Sequence, residues 1–456
     1  MAGEQSRKLL LWICAVAQAA AVGVTWPLWQ SRESQPNLPL VEMLSAVPFG
    51  WIMLATLLVV VVRPAIGLPA HAVCLGLAIA GDQFRLQPQF FGLAILMWGC
   101  ISETGARVCR WYLVAMWLWA GMHKGLSPDW WGHRSWNLVS RAGLEPESFS
   151  LAFALVTVVA EIALGLLAIW RPKLAAPVCV IAHLGIVIFL SPLFAGWNYS
   201  VIPWNICTAI VGASVLRRSI GGWPATRSES WIAAALLIYP LGFYSGWVDR
   251  SLSHVLYSDN LPRGLITSGD TITEIDGWGL LGVPFPSQQR LLQQYFQLVG
   301  GLGATLHVLE PRWGLADRFF VLDENRVSVE IRSESFYNEE KGDGALHGIG
   351  LDDRRAVFAL TRAGVRLLKR AEGQMVYAAE FTPASFDPLV LRWLVGLPNL
   401  EQLQFQGCPI EERDLKFVEG IKSLTGIGIE GTRISRAGFE RLQSMPNLKL
   451  IESDFN

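Results

Sequence analysis

The chain has 456 residues, of which 52% are hydrophobic and only 16% charged. A soluble globular chain carries about 25% charged residues, so this composition excludes an ordinary soluble protein over its whole length. Its 37 basic and 38 acidic residues nearly cancel, which gives no reason to expect nucleic-acid binding. The imbalance is regional: up to about Trp247 the chain is mostly long apolar runs, and the remainder has soluble composition. That is the pattern of a membrane protein made of two or three regions.

Cys14, Cys74, Cys100, Cys109, Cys179 and Cys207 lie in the apolar half, and Cys408 alone in the soluble half. One soluble cysteine cannot build a disulfide framework, and no Cys/His spacing suggests a metal. The thiols read as small apolar packing residues.

The first apolar run, Leu9–Trp29, follows Arg7 and Lys8. Ala17-Gln18-Ala19 resembles a signal-peptidase site, but the run stays apolar to Trp29, longer than a signal core, and predicts an uncleaved helix. Further spans read as Leu44–Val62, Ile66–Gly81, Pro88–Ser102, Val108–Lys124, Phe149–Trp170, Leu174–Phe194, Val201–Leu216 and Trp231–Trp247. Several fall short of the ~20 residues a span needs, and Ile66–Gly81 with Pro88–Ser102 are short enough to form one re-entrant pair. The expected fold is a polytopic α-helical membrane bundle of about eight to nine transmembrane helices over residues 1–248.

Charge orients it. With the amino terminus cytoplasmic, Arg63, Arg107, Arg110, Arg171, Lys173, Arg217, Arg218 and Arg227 fall inside, against Arg32, Arg85, Lys124, Arg134 and Arg141 outside. This is the Lys/Arg asymmetry of a correctly drawn topology, and it places everything after Trp247 outside the cytoplasm.

Residues 249–371 read as a mixed α/β region. Thr271–Ile275, Ala304–Leu309, Arg318–Leu322 and Val327–Ile331 have strand character, and Ser287–Leu298 is an amphipathic helix. Glu339–Gly344 is a polar loop, and a further helix is expected over Leu360–Arg370.

Residues 372–456 repeat. Leu400, Leu403, Phe405, Cys408 and Ile410 recur at an interval of 24 residues as Leu424, Ile427, Ile429, Thr432 and Ile434. One step back finds Val376, Ala379, Phe381, Ala384 and Phe386, and one step forward Leu448 and Ile451. This is leucine-rich-repeat spacing, one strand and one helix per unit, in which only stacked neighbours complete the core. Glu411–Ser423 is the expected returning helix, with Leu415, Val418 and Ile421 on one face. The strands present Glu401, Gln402, Gln404, Thr425, Gly426 and Gly428, a mostly neutral polar surface that suits either a protein partner or a spacer.

Ionisable residues at membrane depth mark sites by default. Lys124 ends an outward helix, level with Asp82, Arg85 and Asp129 at the outer interface. It reads either as a lysine snorkelling to water or as a base in a semi-dry pocket, within reach of Asp82 or Asp129. Glu161 lies roughly 18 Å down the following inward helix and His183 roughly 13 Å up the next, which puts both near mid-depth as a possible pair. That pair either locks two helices or handles protons. Asn198 and Asn205 open the next span at the outer level. No phosphate-binding glycine loop, Gly-x-Ser-x-Gly elbow or His-Glu-x-x-His helix is present.

Ala120-Gly-Met-His-Lys124 followed by Asp129-Trp130 resembles the "AG-x-x-K … DW" signature of the vitamin K-dependent γ-glutamyl carboxylases. Their wider group carries the horizontally transferred transmembrane (HTTM) domain, with a more distant likeness to DoxX/MauE-type membrane proteins. The resemblance continues through Glu161-Ile-Ala-Leu-Gly165, the segment His183–Phe189 and Asp82–Pro88, and covers roughly 44–216. It implies that Lys124 is a candidate base beside a quinone-type ligand, with Asp82, Arg85, Asp129, Trp130, Asn198 and Asn205 near that ligand. The chain departs from the family at Pro88-Gln89-Phe90, where the family carries a histidine, and in its small external region. Both departures argue against glutamate carboxylation. Three functions remain open: a ligand-binding membrane protein whose repeats recruit a protein partner, an oxidoreductase or carboxylase-like enzyme, and a non-catalytic assembly factor.

Overall fold

The computed structural model describes residues 2–456 except 33–35, 128–129, 195–197, 219–225, 259, 269–270, 313–314, 316, 332–351, 353–355, 358–359, 362, 370–374, 384–385, 387, 389 and 455–456. The polar loop expected at Glu339–Gly344 lies outside the described residues. The chain divides into two units, residues 1–333 and 334–456.

The first unit is mostly helical: α1 (Ala2–Val24), α2 (Phe49–Val62), α3 (Pro64–Gly81), α4 (Pro88–Ile101), α5 (Glu103–Leu126), α6 (Ser135–Arg141), α7 (Pro146–Trp170) and α8 (Pro172–Leu190). After them, α9 (Ile202–Cys207) passes through a π turn at Thr208–Gly212 into α10 (Ala213–Arg218), and α11 spans Arg227–Ile238. Four of these helices open on proline at the first helical position, where the missing N–H costs nothing. The single-residue joints at Arg63 and Arg171 fold α2 on α3 and α7 on α8 as antiparallel hairpins.

Among the described residues, five helices are long and apolar enough to cross a membrane: Glu4–Val24, Pro64–Gly81, Ser148–Trp170, Pro172–Leu190 and Tyr199–Arg218. Phe49–Val62 and Pro88–Ile101 are shorter apolar helices. The last expected span, Trp231–Trp247, is not one helix: α11 stops at Ile238 and a 3-10 turn, Tyr239–Phe243, begins where Pro240 cannot continue the ladder.

α5 is the hub. Every residue from Val108 to Trp117 is buried, and α5 packs against α4, α7, α10 and α11. Ser102 caps it by accepting from Gly105 N–H at 2.9 Å, with Glu103 in the first turn. Its Arg110 donates to Ala168 O and Ile169 O, carbonyls of the last turn of α7 that would otherwise be orphaned. A helix enclosed by protein can carry charges that a lipid-facing helix cannot.

A five-stranded antiparallel sheet completes this unit: β1 (Arg263–Ser268), β2 (Thr271–Glu274), β3 (Thr305–Leu309), β4 (Arg318–Leu322) and β5 (Ser328–Ile331), in the order β2-β1-β3-β4-β5. The amphipathic α12 (Gln289–Val299) buries Leu291, Leu292 and Phe296. β1 has no counterpart among the sequence expectations; the other four strands and α12 do. The sheet region is tied to bundle loops. Arg290 bonds to Asp249 and Gln83, Gln87 donates to Pro284 O, and Phe84 meets Phe285 edge-on at 5.3 Å. The connecting segment 251–258 is itself buried in the bundle: Ser251 donates to Leu86 O at 2.7 Å, and His254 is 3% exposed.

The second unit holds β6 (Arg366–Lys369), β7 (Val376–Glu380), β8 (Gln402–Gln404), β9 (Gly426–Gly428) and β10 (Leu450–Glu452). β7 to β10 run parallel, with Ala378, Gln402, Gly426 and Leu450 in register at the 24-residue interval. Leu403 and Ile427 point inward and are buried, as are Phe381 and Phe405, whose rings stack at 4.9 Å. The interval extends to the returning segments, capped by Glu411 and Ser435. The first return is a 3-10 turn and the short α13 (Leu415–Val418) rather than a helix to Ser423; the second is α14 (Arg436–Gln443). The helix expected over Leu360–Arg370 is overturned. Gly364 sits at φ +83°, which breaks the helix, and the following residues pair antiparallel with β7 as β6. The face expected to be open is partly closed: Gly426 and Gly428 are buried, and the Gln404 side chain lies over Gly428.

The α2–α3 hairpin rests on a close approach that can be tested. A Cβ on Gly67 would lie 2.2 Å from Val60 N, whereas one on Gly76 meets nothing within 4 Å. Gly67→Ala is expected to destabilise the detergent-solubilised protein by about 1–3 kcal/mol, and Gly76→Ala to leave its thermal midpoint unchanged or raised. Equal midpoints for the two variants would remove the tight hairpin.

Candidate functional site

α5 carries a polar stripe. Trp117 and Lys124 are seven residues apart, two helical turns, and so share one face. That face meets α7 and α8. A Cβ on Gly121 would lie 2.7 Å from Ile162 and 3.0 Å from Val158 O, and one on Gly165 would lie 2.6 Å from Leu118. These missing side chains let α5 and α7 approach closely, as small residues do in membrane bundles.

Lys124 is 3% exposed and donates to both oxygens of Glu161, at 2.9 and 2.8 Å, with a longer contact of 3.5 Å to Ala120 O. Its Nζ stands 5.3 Å from the centroid of the Trp130 ring, within cation–π range. Trp130 is itself fixed by donating to Ala154 O at 3.2 Å. The ammonium is thus held by a carboxylate and an aromatic face. The Glu161 side chain keeps 22% exposure, on a helix whose Leu155, Val156 and Val159 are also exposed.

Two turns deeper on the same face, Trp117 Nε1 donates to His183 Nε2 at 3.1 Å, and His183 Nδ1 donates to Asn205 Oδ1 at 2.8 Å. Asn205 Nδ2 donates to Val201 O, which fixes the amide orientation. The ring therefore carries its proton on Nδ1 and accepts at Nε2.

The structure regroups the expected residues. Glu161 and His183 were expected as a pair; instead Glu161 belongs to Lys124 and His183 to Trp117 and Asn205. The depth reckoning failed because α7 starts at Pro146, well before the level where α5 ends, so Glu161 stands beside Lys124 rather than far below it. Asp82 is not the partner of Lys124. It is buried against Arg32, accepts from Leu38 N and Phe84 N, and lies near Arg85. Arg85 donates to Leu28 O and Ala78 O, and the guanidinium of Arg32 lies over the Phe84 and Trp278 rings. Burial pushes the Arg32 guanidinium down to about 9, with Arg85 adding to the effect, and pushes Arg85 down to about 10. This second cluster knots three loops together. Asp129 lies outside the described residues. Asn198, at φ +53°, donates to Tyr257 Oη at 3.1 Å and accepts from Ser200.

Sequence reasoning missed His123, whose Nε2 donates to Ser253 O and whose Nδ1 accepts from Tyr244 Oη, both at 2.8 Å. It also missed Trp117, whose signal was its seven-residue spacing from Lys124. Among the described residues, no group of three or more His, Cys, Asp or Glu is arranged to hold a metal.

The apolar helices and the buried charge pair define a helical membrane protein. The family described as Methylamine utilisation protein MauE matches residues 102–201, the stretch from the start of α5 to the turn before α9 that carries Lys124, Trp130, Glu161, His183 and Asn198. No curated protein and no solved structure matches the chain.

The buried pair makes a quantitative prediction. Lys124→Met alone strands the Glu161 carboxylate and is expected to destabilise the protein by about 3–5 kcal/mol, while Lys124→Met with Glu161→Leu recovers most of that loss. Thermal unfolding of the detergent-purified variants measures both; a single variant as stable as the wild type would show that the ion pair contributes nothing to holding α5 against α7.

Proposed function

We propose that the protein is a multi-pass membrane protein of the carboxylase-like (HTTM) and DoxX/MauE-related group that binds a quinone-type, lipid-soluble ligand beside Lys124 and Glu161. The observation that carries this reading is the unequal exposure of a buried ion pair. Lys124 is sealed, while Glu161 keeps 22% of its side chain open. A ligand arriving from the lipid meets the carboxylate first, and the ammonium behind it sets that carboxylate's charge. Proton exchange with a quinone-type oxygen then runs through the pair: Lys124 acts as base only once its ammonium has passed a proton to the Glu161 carboxylate, and the free amine then accepts the proton of a hydroquinone hydroxyl. The His183–Asn205–Trp117 chain holds the same face of α5 rigid beneath it.

In this reading the two shorter apolar helices and α5 join the five long ones to give eight spans, with α11 as a ninth, and the amino terminus is cytoplasmic. Support comes from one end of the bundle, where Arg7 pairs with Glu103 and Arg107 with Glu229, and where Arg217 and Arg218 close α10. The sheet of the first unit and the carboxy-terminal unit are then extracytoplasmic. The 24-residue parallel ladder supports a short leucine-rich-repeat solenoid, whose exposed Gln402 and Glu452 edge would meet a protein partner.

A short-chain benzoquinone titrated into the detergent-purified protein tests the site through quenching of tryptophan fluorescence, since Trp130 adjoins Lys124. The wild type is expected to bind, and the folded Lys124→Met/Glu161→Leu double variant to bind at least about tenfold more weakly, the equivalent of about 1.4 kcal/mol. Equal binding by the two proteins removes the quinone role from this pair and leaves the assembly-factor reading.

A further inference from the structure

A second polar group sits on another face of α5. Tyr112 precedes His123 by eleven residues, three turns, so the two share a face about 120° away from that of Lys124. Tyr112 Oη, Trp204 Nε1 and His254 Nδ1 are all buried, and none has a hydrogen-bond partner among the described residues. Tyr112 is 2% exposed, Trp204 5% and His254 3%. They converge: a Cβ on Gly92 would lie 2.8 Å from both Tyr112 Oη and Trp204 Nε1, so those two atoms are no farther apart than twice that distance. The His254 ring meets the Tyr112 ring edge-on at 5.3 Å between centroids. α5 and α9 thus bring two unpaired donors together over Gly92 of α4, and the buried connector lays the His254 ring against Tyr112.

Buried polar groups are almost always paired, and each exception calls for an explanation. Here two of the exceptions, Tyr112 Oη and Trp204 Nε1, lie together over Gly92, which leaves room where any other residue would crowd the two donors. His254 holds φ +59° in the left-handed region, uncommon for a non-glycine residue. The chemistry of the set is specific. Trp204 can only donate, Tyr112 donates or accepts, and the cluster contains no charged side chain. Two neutral donors aimed together suit one neutral acceptor with two lone pairs.

We propose that Tyr112, Trp204 and His254 form a binding site for the carbonyl oxygen of a neutral, lipophilic molecule, separate from the Lys124–Glu161 pair. Tyr112 lies twelve residues from Lys124 on α5, about 18 Å along the axis, so one small head group cannot fill both sites. The carbonyl belongs either to a quinone-type ring or to the ester of a membrane lipid.

The test uses the detergent-purified full chain and benzophenone, an apolar aromatic ketone that crosslinks on irradiation, with the labelled peptides located by mass spectrometry. Labelling is expected on the segments around Gly92, Trp204 and His254. It is expected to fall about tenfold in Tyr112→Phe/Trp204→Phe, while the Lys124→Met/Glu161→Leu variant labels as the wild type does. Excess diester phosphatidylcholine that suppresses labelling, where its diether analogue does not, assigns the site to lipid esters; suppression by a benzoquinone assigns it to a quinone ring. Tyr112→Phe alone is nearly isosteric and removes a hydroxyl that no protein group satisfies, so it is expected to leave the thermal midpoint of the ligand-free protein unchanged or raised. A lower midpoint means that the hydroxyl is part of the fold and overturns the proposal. Labelling elsewhere only, or labelling unaffected by Tyr112→Phe/Trp204→Phe, likewise overturns it and leaves the cluster to a bridging water.

Discussion

An unpaired charge inside an apolar bundle is intolerable, and the helical unit is arranged around that constraint at Lys124. The ammonium has a carboxylate on one side and the Trp130 ring on the other, and both partners come from elements that must be placed to reach it. Glu161 reaches because Gly121 and Gly165 bring α7 against α5. Trp130 reaches because its indole is anchored to Ala154 on the same α7. One ion pair thereby fixes the separation, the register and the closing loop of the α5–α7 contact. Its worth lies less in net stability than in forbidding other packings, since such a pair often does no better than well-packed apolar residues.

The same logic extends along α5. Arg110 closes the end of α7, Trp117 holds His183, His123 holds the connector at Ser253, and Trp119 donates to Leu237 O. Each polar group is met by a different neighbour, so α5 cannot slide or rotate without stranding several of them at once. The connector between bundle and sheet is drawn in by this: its Ser253 and Ser258 carbonyls serve as acceptors for His123 and Ser127. A segment that composition alone would leave as a surface link is instead part of the interior.

How much of this could be read from the chain follows from the range of the forces involved. Apolar runs and prolines act locally, so most of the long helices were legible, though α1, α2 and α5 start five to seven residues from the expected positions and α6 was not foreseen; four of the five strands around α12 were legible too. The 24-residue interval was legible because a repeat states its own stacking, and the register of Ala378, Gln402, Gly426 and Leu450 follows it. What failed was relative height. Counting residues from each helix end assumed that all helices start at one level, and α7 does not, so Glu161 was matched with His183 instead of Lys124. The identities of the site residues survived that error because an ionisable side chain at depth is conspicuous wherever it sits. Tyr112, Trp204 and His254 were not legible, since a tyrosine, a tryptophan and a histidine in an aromatic-rich chain announce nothing until they are found unpaired.

The two polar faces of α5 differ in kind, and the difference separates their roles. At Lys124 the polar groups are consumed: the ammonium, the carboxylate and the indole N–H of Trp130 all have partners, and only part of the Glu161 side chain remains exposed. Whatever happens there must exchange one partner for another, which suits proton traffic. At Tyr112 the donors are unconsumed and uncharged, which suits holding a neutral group still. A protein that needed only to lock its helices would have no reason to leave donors unpaired on one face of α5 while satisfying every one on the other. The contrast, more than either cluster alone, is what the two proposed sites rest on.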